Sequence, residues 1–350
     1  MKASLFFAVS VAAIAAAMPA RAQDALQTNE LAVVSWGGTY QEAQREAFMA
    51  PFAEATGIEV IEGTNPEISR TRAEVESGSP SFDIVSTNQA FNLVGIDLGL
   101  WVPIDYKYFA PEDLESMPES ERQEFGVGTI TYSEVMAYNS ESFPDNSGPS
   151  SWKEFWDTNA FPGQRVLPWC DLSHSPLPEA ALLADGVAPE DLYPIDIERA
   201  AKKLAELKDT TFWARNNAQA SQMLASGEAV MGMSPNGRLQ VLIDQGAPIQ
   251  IEWNEGRFTS DVWYVLKGAP NVDNAMRFIA FASRPEQQAK MAKLTGNGPT
   301  NPAAFDFIDE ETLAKLPNAP DNLAKQIKKN ETWWKENREA WVAACTAALM

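Results

Sequence analysis

Short apolar runs alternate with amphipathic stretches along most of this chain. "LAVVSW" (31–36) is a β-branched apolar run without polar alternation, the pattern of a strand covered on both faces. It leads into Gly37, Gly38 and "TYQE", where Thr39 and Glu42 have the spacing of a capping box. A helix is therefore predicted from about Tyr40, kinked at Pro51 and ended by Gly57. "IEVIEG" (58–63) reads as a second strand, the stretch through Val75 as a second helix, and "FDIVST" (82–87) as a third strand. Further on, "VGTITYSEVMAYN" (127–139) is strand-like, "RVLPWC", "PEAALLADG" and "GEAVMGM" form new strand and helix units, and "PIQIEW" and "TSDVWYVLKG" are two further strands. "NVDNAMRFIAFAS" places Ala275, Phe278, Ile279 and Ala282 on one helical face, and the chain closes in a Trp-rich helix. Such alternation predicts an α/β fold of mostly parallel sheets flanked by helices, with ligands beyond the carboxyl ends of the strands. Trp36 to Tyr40 lies at such an end.

The first 22 residues carry Lys2, an apolar run over 5–18 and the triplet Ala20-Arg21-Ala22, the layout of a secretory signal peptide. That run is shorter than the roughly 20 residues a spanning helix needs, and no cysteine near the cleavage site offers a lipid-anchor acceptor. A soluble, exported periplasmic protein is expected. Removing 22 of 350 residues leaves 328, more than one core usually organises, so two lobes are expected. Loss of Lys2 and Arg21 takes the formal charge from −21 to −23. This acidity argues against a nucleic-acid partner and mildly favours cationic solutes, although a plain solubility surface accounts for it equally well. Cys170 and Cys345 are the two cysteines. In an oxidising compartment one disulfide is the default, with two buried thiols as the alternative.

Several chemistries are missing. "GVGTIT" and "GNGPTN" both lack the last glycine of a dinucleotide fingerprint, and no P-loop is present, so no cofactor is expected. His174 is the single histidine, in a proline-flanked segment without a nucleophile motif, and is read as a loop residue. One histidine and two distant cysteines give no metal-ligand spacing. Eleven tryptophans beside many carboxylates leave an exported glycoside hydrolase as a rival reading. Trp152 and Trp156, four apart, and Trp333, Trp334 and Trp341 are read as packing residues. Trp36 and Tyr40 offer aromatic faces to an apolar or cationic ligand, with simple core packing as the alternative for Trp36.

The segments "VVSWGGTYQEA", "PFAEATGIEV", "FDIV", "WKEFWDTNAFPGQR", "PEAALLADGVAPEDLYPID", "NGR" and "GPTN" resemble, in order and spacing, the exported solute receptors of polyamine-type ABC importers. The likeness spans nearly all of the mature chain. It implies a monomeric type II periplasmic-binding fold with crossings near "GTITYSE" and "SDVWYV". The implied lobes are 23–130 with 261–325, and 131–260 with 326–350. It also implies that the terminal helix packs on the second lobe, which brings Cys170 and Cys345 into one lobe and favours their pairing. The ligand positions that carry over are Trp36, Tyr40, Glu179 and Asp261, with Trp213, Gln219 and Asn236 second. The guest implied is a small cationic solute such as putrescine or spermidine, handed on unaltered to a membrane permease. "LPWCDLSHSP" and "STNQAF" depart from the polyamine pattern, and an amino-acid derivative, an opine or a sugar is the alternative guest.

Overall fold

The computed structural model describes residues 29–172 and 175–350, so the 22-residue leader and His174 lie outside the described residues. Among the described residues nine strands join in one sheet. They are β1 (Glu30–Ser35), β2 (Glu59–Thr64), β3 (Ile84–Asn88), β4 (Val127–Asn139), β5 (Arg165–Pro168), β6 (Thr211–Ala214), β7 (Met231–Pro235), β8 (Ile249–Val265) and β9 (Ile327–Lys328). Their order is β2-β1-β3-β8-β4-β7-β5-β6, with β9 added to β8. β2, β1 and β3 are parallel, as are β7, β5 and β6. Between these two sets run the long antiparallel strands β4 and β8, and each set keeps its own helices and hydrophobic clusters. This is a two-lobed α/β architecture whose sheet is continuous through the crossing strands. β4 is buried at every position, including the charged Glu134.

Three local features differ from the sequence expectation. The strands read at "PIQIEW" and "TSDVWYVLKG" are one strand, β8, which absorbs an irregularity where Glu134 faces Arg257 but Met136 faces Glu252; Glu255, between them, has φ 60°. The four-residue strand β6 carries no predicted element. The first helix runs Gly38–Gln44, and its N-cap is Gly37, not Thr39. Gly37 has φ 76°, a conformation that costs other residues a steric penalty, and its N–H donates to the side-chain Oε1 of Gln41 at 3.0 Å. Gln41 is buried and Glu42 is exposed, so burial selects the amide over the carboxylate as the returning group. The expected kink takes the form of a wide π turn at Arg45–Met49, after which the helix Ala50–Thr56 resumes with Pro51 in its first turn, where no N–H is needed. Gly57, left-handed at φ 72°, closes it.

Cys170, just past β5, and Cys345, on the terminal helix Glu331–Leu349, form a disulfide. They sit in a cluster with buried Trp333, Trp334 and Trp341. Trp152 and Trp156 are buried and packed edge to face, 6.4 Å between centroids. The amino end of the terminal helix also reaches the other set of helices, through an ion pair from Lys335 to Asp97 on the helix Gln89–Asp97.

Candidate functional site

Arg257, Thr259 and Asp261 lie two apart on β8 and therefore point to one face. The register sets them against Glu134, Tyr132 and Ile130 of β4. Against this face stand Glu179 of the helix Leu177–Ala184, Tyr193, and a terminal segment that supplies Lys329, Glu331 and Trp334. The result is a row of acids and cations along the crossing strands, most of them less than a tenth exposed.

At one end of the row, Trp36 Nε1 donates to Asp261 Oδ2 at 2.8 Å. Trp36 is carried there because it directly follows β1, and β1 lies beside β3, whose Asn88 pairs with Asp261. Tyr40 sits on the first helix, its hydroxyl accepting from Gln44 Nε2 at 3.3 Å. Burial, and then the nearby Asp261 carboxylate, push the Tyr40 hydroxyl well above its ordinary range, so it acts as a neutral phenol. Burial also pushes the Asp261 carboxyl up to about 7, against opposing pulls from the Trp36 hydrogen bond and Lys329. Its second oxygen, Oδ1, is buried without a hydrogen-bond partner.

In the middle of the row Arg257 is held by two acids. Its Nε donates to Glu134 Oε2 at 3.0 Å, its Nη2 bonds the same oxygen, and its Nη1 donates to Glu179 Oε1 at 3.1 Å. Its guanidinium also lies over the Trp334 ring, 5.2 Å from the centroid. Glu179 Oε1 accepts from Tyr193 Oη at 2.6 Å and from Trp334 Nε1 at 2.8 Å as well. Burial lifts Glu134 to about 7 despite Arg257. Burial alone would lower Arg257, but Glu134 and Glu179 outweigh it and hold the guanidinium charged. A small cavity of ≈ 20 Å³, room for about one water, adjoins Glu134 at the carboxyl ends of β5 and β7, lined also by Ser175, Asn217, Met233 and Ser234.

Of the residues singled out in the sequence, Trp36, Tyr40 and Asp261 come together, and Glu179 joins the same row through Arg257. Asn236 is buried and committed on both sides: it accepts from Ser133 N at 2.8 Å and donates to Gly296 O at 2.7 Å. Trp213 is on β6, packed edge to face on Trp169 with centroids 6.4 Å apart, and Gln219 accepts from Arg215 N at 3.2 Å near a helix start. β6 lies four strands from β8, which at about 4.8 Å per strand is about 19 Å along the sheet. Among the described residues, Trp213 and Gln219 show only contacts within their own set of strands and helices. Sequence reasoning passed over Glu134, Arg257, Lys329 and Glu331. A charged residue in the otherwise uncharged strand "TITYSEVMAYN", and the period-two polar series Arg257-Thr259-Asp261, were the available signs of the first two.

Two parallel strand sets joined by a pair of crossing strands, with a buried acid at the junction that keeps one oxygen unused, suit a receptor for a small solute. The chain belongs to the bacterial extracellular solute-binding proteins, whose family model matches residues 47–321. It is 34% identical to the gamma-aminobutyric acid-binding protein of Pseudomonas aeruginosa strain PAO1, over 97% of each chain. Among solved structures it is similar to an ABC transporter substrate-binding protein from Bradyrhizobium japonicum USDA 110, at 37% identity and TM-score 0.84, covering 92% of this chain and 99% of that one. It is also similar to the binding protein AgtB of A. tumefaciens R10 in complex with agropinic acid, at 32% identity and TM-score 0.79, covering 92% and 98%. The spermidine/putrescine-binding periplasmic protein of Escherichia coli K12 is more distant, at 24% identity over 92% of this chain and 91% of that one. The fold is that of the type II periplasmic binding proteins, and the chain is a solute receptor of the ABC-importer kind. No helix among the described residues is long and apolar enough to cross a membrane.

Proposed function

We propose that this chain is the periplasmic receptor of an ABC importer for a small solute bearing one ammonium and one carboxylate, of the γ-aminobutyrate or opine kind. The observation that carries this reading is the distribution of charge along the row. Glu134 and Glu179 share Arg257, and Glu331 has Lys329. Asp261, with Oδ1 uncommitted, is the acid of this row without an ion pair among the described residues. It supplies one ammonium seat, walled by Trp36 and Tyr40, where a polyamine requires two or more. The likenesses to a γ-aminobutyrate-binding protein and to an opine-bound structure support the same class. This replaces the polyamine expectation, which the 24% relative supports at a greater distance.

In this reading the lobes are 23–130 with 261–325, and 131–260 with 326–350. β4 and β8 act as the hinge, the solute stabilises the closed form by touching both lobes, and a membrane permease recognises that form. Trp36, Tyr40 and Asp261 bind the guest, and Glu179 positions Arg257. The test is calorimetry and thermal shift of the mature protein against γ-aminobutyrate, opines, putrescine, spermidine and sugars, with recovery of the solute afterwards. A ligand selective for the folded state raises its melting temperature by mass action. A shift with amino-acid-type solutes, returned unaltered, is the expected result. A shift with putrescine or spermidine alone, or conversion of the solute, overturns the assignment.

A further inference from the structure

Resting on that reading, we infer that Lys329 is a built-in cation that sets the site's selectivity: it occupies, on a tether, the place a second ammonium would take and draws the carboxylate end of the guest. Lys329 belongs to the short segment that β9 lays along β8. β9 pairs with Arg257 and Phe258, and Lys329 N–H donates to Phe258 O at 3.1 Å. That backbone anchoring fixes the side chain beside Thr259, midway between Arg257 and Asp261. Only 1% of the side chain is exposed, so its charge is not screened by bulk water.

Its Nζ is 2.8 Å from Glu331 Oε2 but off the hydrogen-bonding direction, and both atoms are buried without a directed hydrogen bond. Glu331 meanwhile uses its other oxygen to accept from Thr259 Oγ1 at 2.8 Å. The ammonium thus lies in an ion pair that leaves its three donors unspent, and a buried donor without an acceptor is costly. A guest carboxylate satisfies those donors. A guest ammonium meets repulsion instead, so the arrangement discriminates by an attractive and a repulsive element together. Lys329 also acts electrostatically on both Asp261 and Glu134, which places it within range of the end and the middle of the row. With Lys329 removed, Glu331 loses its cation, and Asp261 and Glu331, which act on each other electrostatically, are both left without an ion pair and open to the two ammonium groups of a diamine.

The test uses the mature protein and two probes, γ-aminobutyrate and putrescine, with calorimetry on wild type, Lys329→Met and Lys329→Arg. Met keeps the length and apolar stem of the side chain, and circular dichroism melts confirm that each variant folds. In Lys329→Met, putrescine affinity should rise about tenfold or more and γ-aminobutyrate affinity fall by about as much, as expected for one buried charge at an effective dielectric near 20. Lys329→Arg should keep the wild-type order of preference. Unchanged putrescine affinity in Lys329→Met overturns the inference whatever the wild type prefers. A wild type that binds putrescine in preference to γ-aminobutyrate overturns the functional reading separately. If Met fails to fold, Glu331→Gln serves: with the cation kept and its partner neutralised, putrescine binding should weaken, and a gain there overturns the inference equally.

Discussion

Lowering the pH from about 8 to about 6 should weaken solute binding about tenfold, through Asp261. Burial holds this carboxyl at about 7 in the ligand-free protein, against an ordinary value of 3.8. The groups that face it are Trp36, whose indole N–H favours the ionised form, Lys329, which does the same, Glu331, which opposes it, and the neutral Tyr40. An ammonium guest needs the carboxylate, so wherever Asp261 is protonated, binding must expel the proton first. A group half-titrated at about 7 is about nine-tenths ionised at pH 8 and about one-tenth at pH 6, which gives the factor of about ten. The fold responds with the opposite sign. The unfolded chain gives up this proton near 3.8, so the raised native value contributes stability that is complete below about pH 4 and is lost as the pH rises through about 7. Glu134 and Glu121, also raised to about 7, add in the same direction. Between pH 8 and pH 6 the ligand-free melting temperature should therefore rise while affinity falls. Calorimetry in two buffers of different ionisation enthalpy should find close to one proton released per solute bound at pH 6 and little at pH 8. Asp261→Asn should bind weakly with a flat profile. An unchanged Kd across this range refutes the reasoning, and a slope that survives in Asp261→Asn assigns it to another group, Glu134 first.

Trp36→Ala should lower solute affinity about tenfold or more, because it removes both an aromatic wall and the hydrogen bond that favours ionised Asp261, while Trp213→Ala and Gln219→Ala should leave affinity within about twofold. Equal losses in all three, measured by calorimetry, would undo the placement of the site at Asp261. Replacing Cys170 and Cys345 together by Ser should destabilise the fold by up to about 5 kcal/mol on the chain-entropy argument for a 175-residue separation, with solute affinity retained; an unchanged denaturation midpoint contradicts this. Asn236→Ala should cost about 2 to 3 kcal/mol, since it strips a buried partner from both Ser133 N–H and Gly296 C=O, and chemical denaturation reads it directly.

The elements legible in the sequence are those whose pattern and environment agree. β4 matches its predicted span because a long run of small and β-branched residues has no competing helical period. The helix Val272–Ala282 buries Ala275, Phe278, Ile279 and Ala282 as its periodicity requires. Where two local signals compete, tertiary context decides. Thr39 and Glu42 satisfy a capping rule, but the chain leaves β1 through Gly37 at positive φ, and burial of Gln41 moves the cap two residues earlier. The edge strand β6 is too short for a period to show, and turn residues follow it directly.

The site divides in the same way. Trp36 and Asp261 could be named because each belongs to a motif, yet their contact spans 225 positions, and the partners that define their chemistry are just as remote: Arg257 meets Glu134 across 123 positions and Thr259 meets Glu331 across 72. No periodicity carries such pairings; only the sheet order does. That order also explains why the charges collect here. Ions buried on a crossing face lose hydration, and pairing restores little more than that loss, so the row contributes little net stability to the empty receptor. Among the described residues Asp261 lacks even a paired cation, and it destabilises the empty form at neutral pH. A guest ammonium supplies the missing charge and relieves that cost, so the group that weakens the empty fold is the one from which binding gains most, and selectivity depends on which further charge the row already holds.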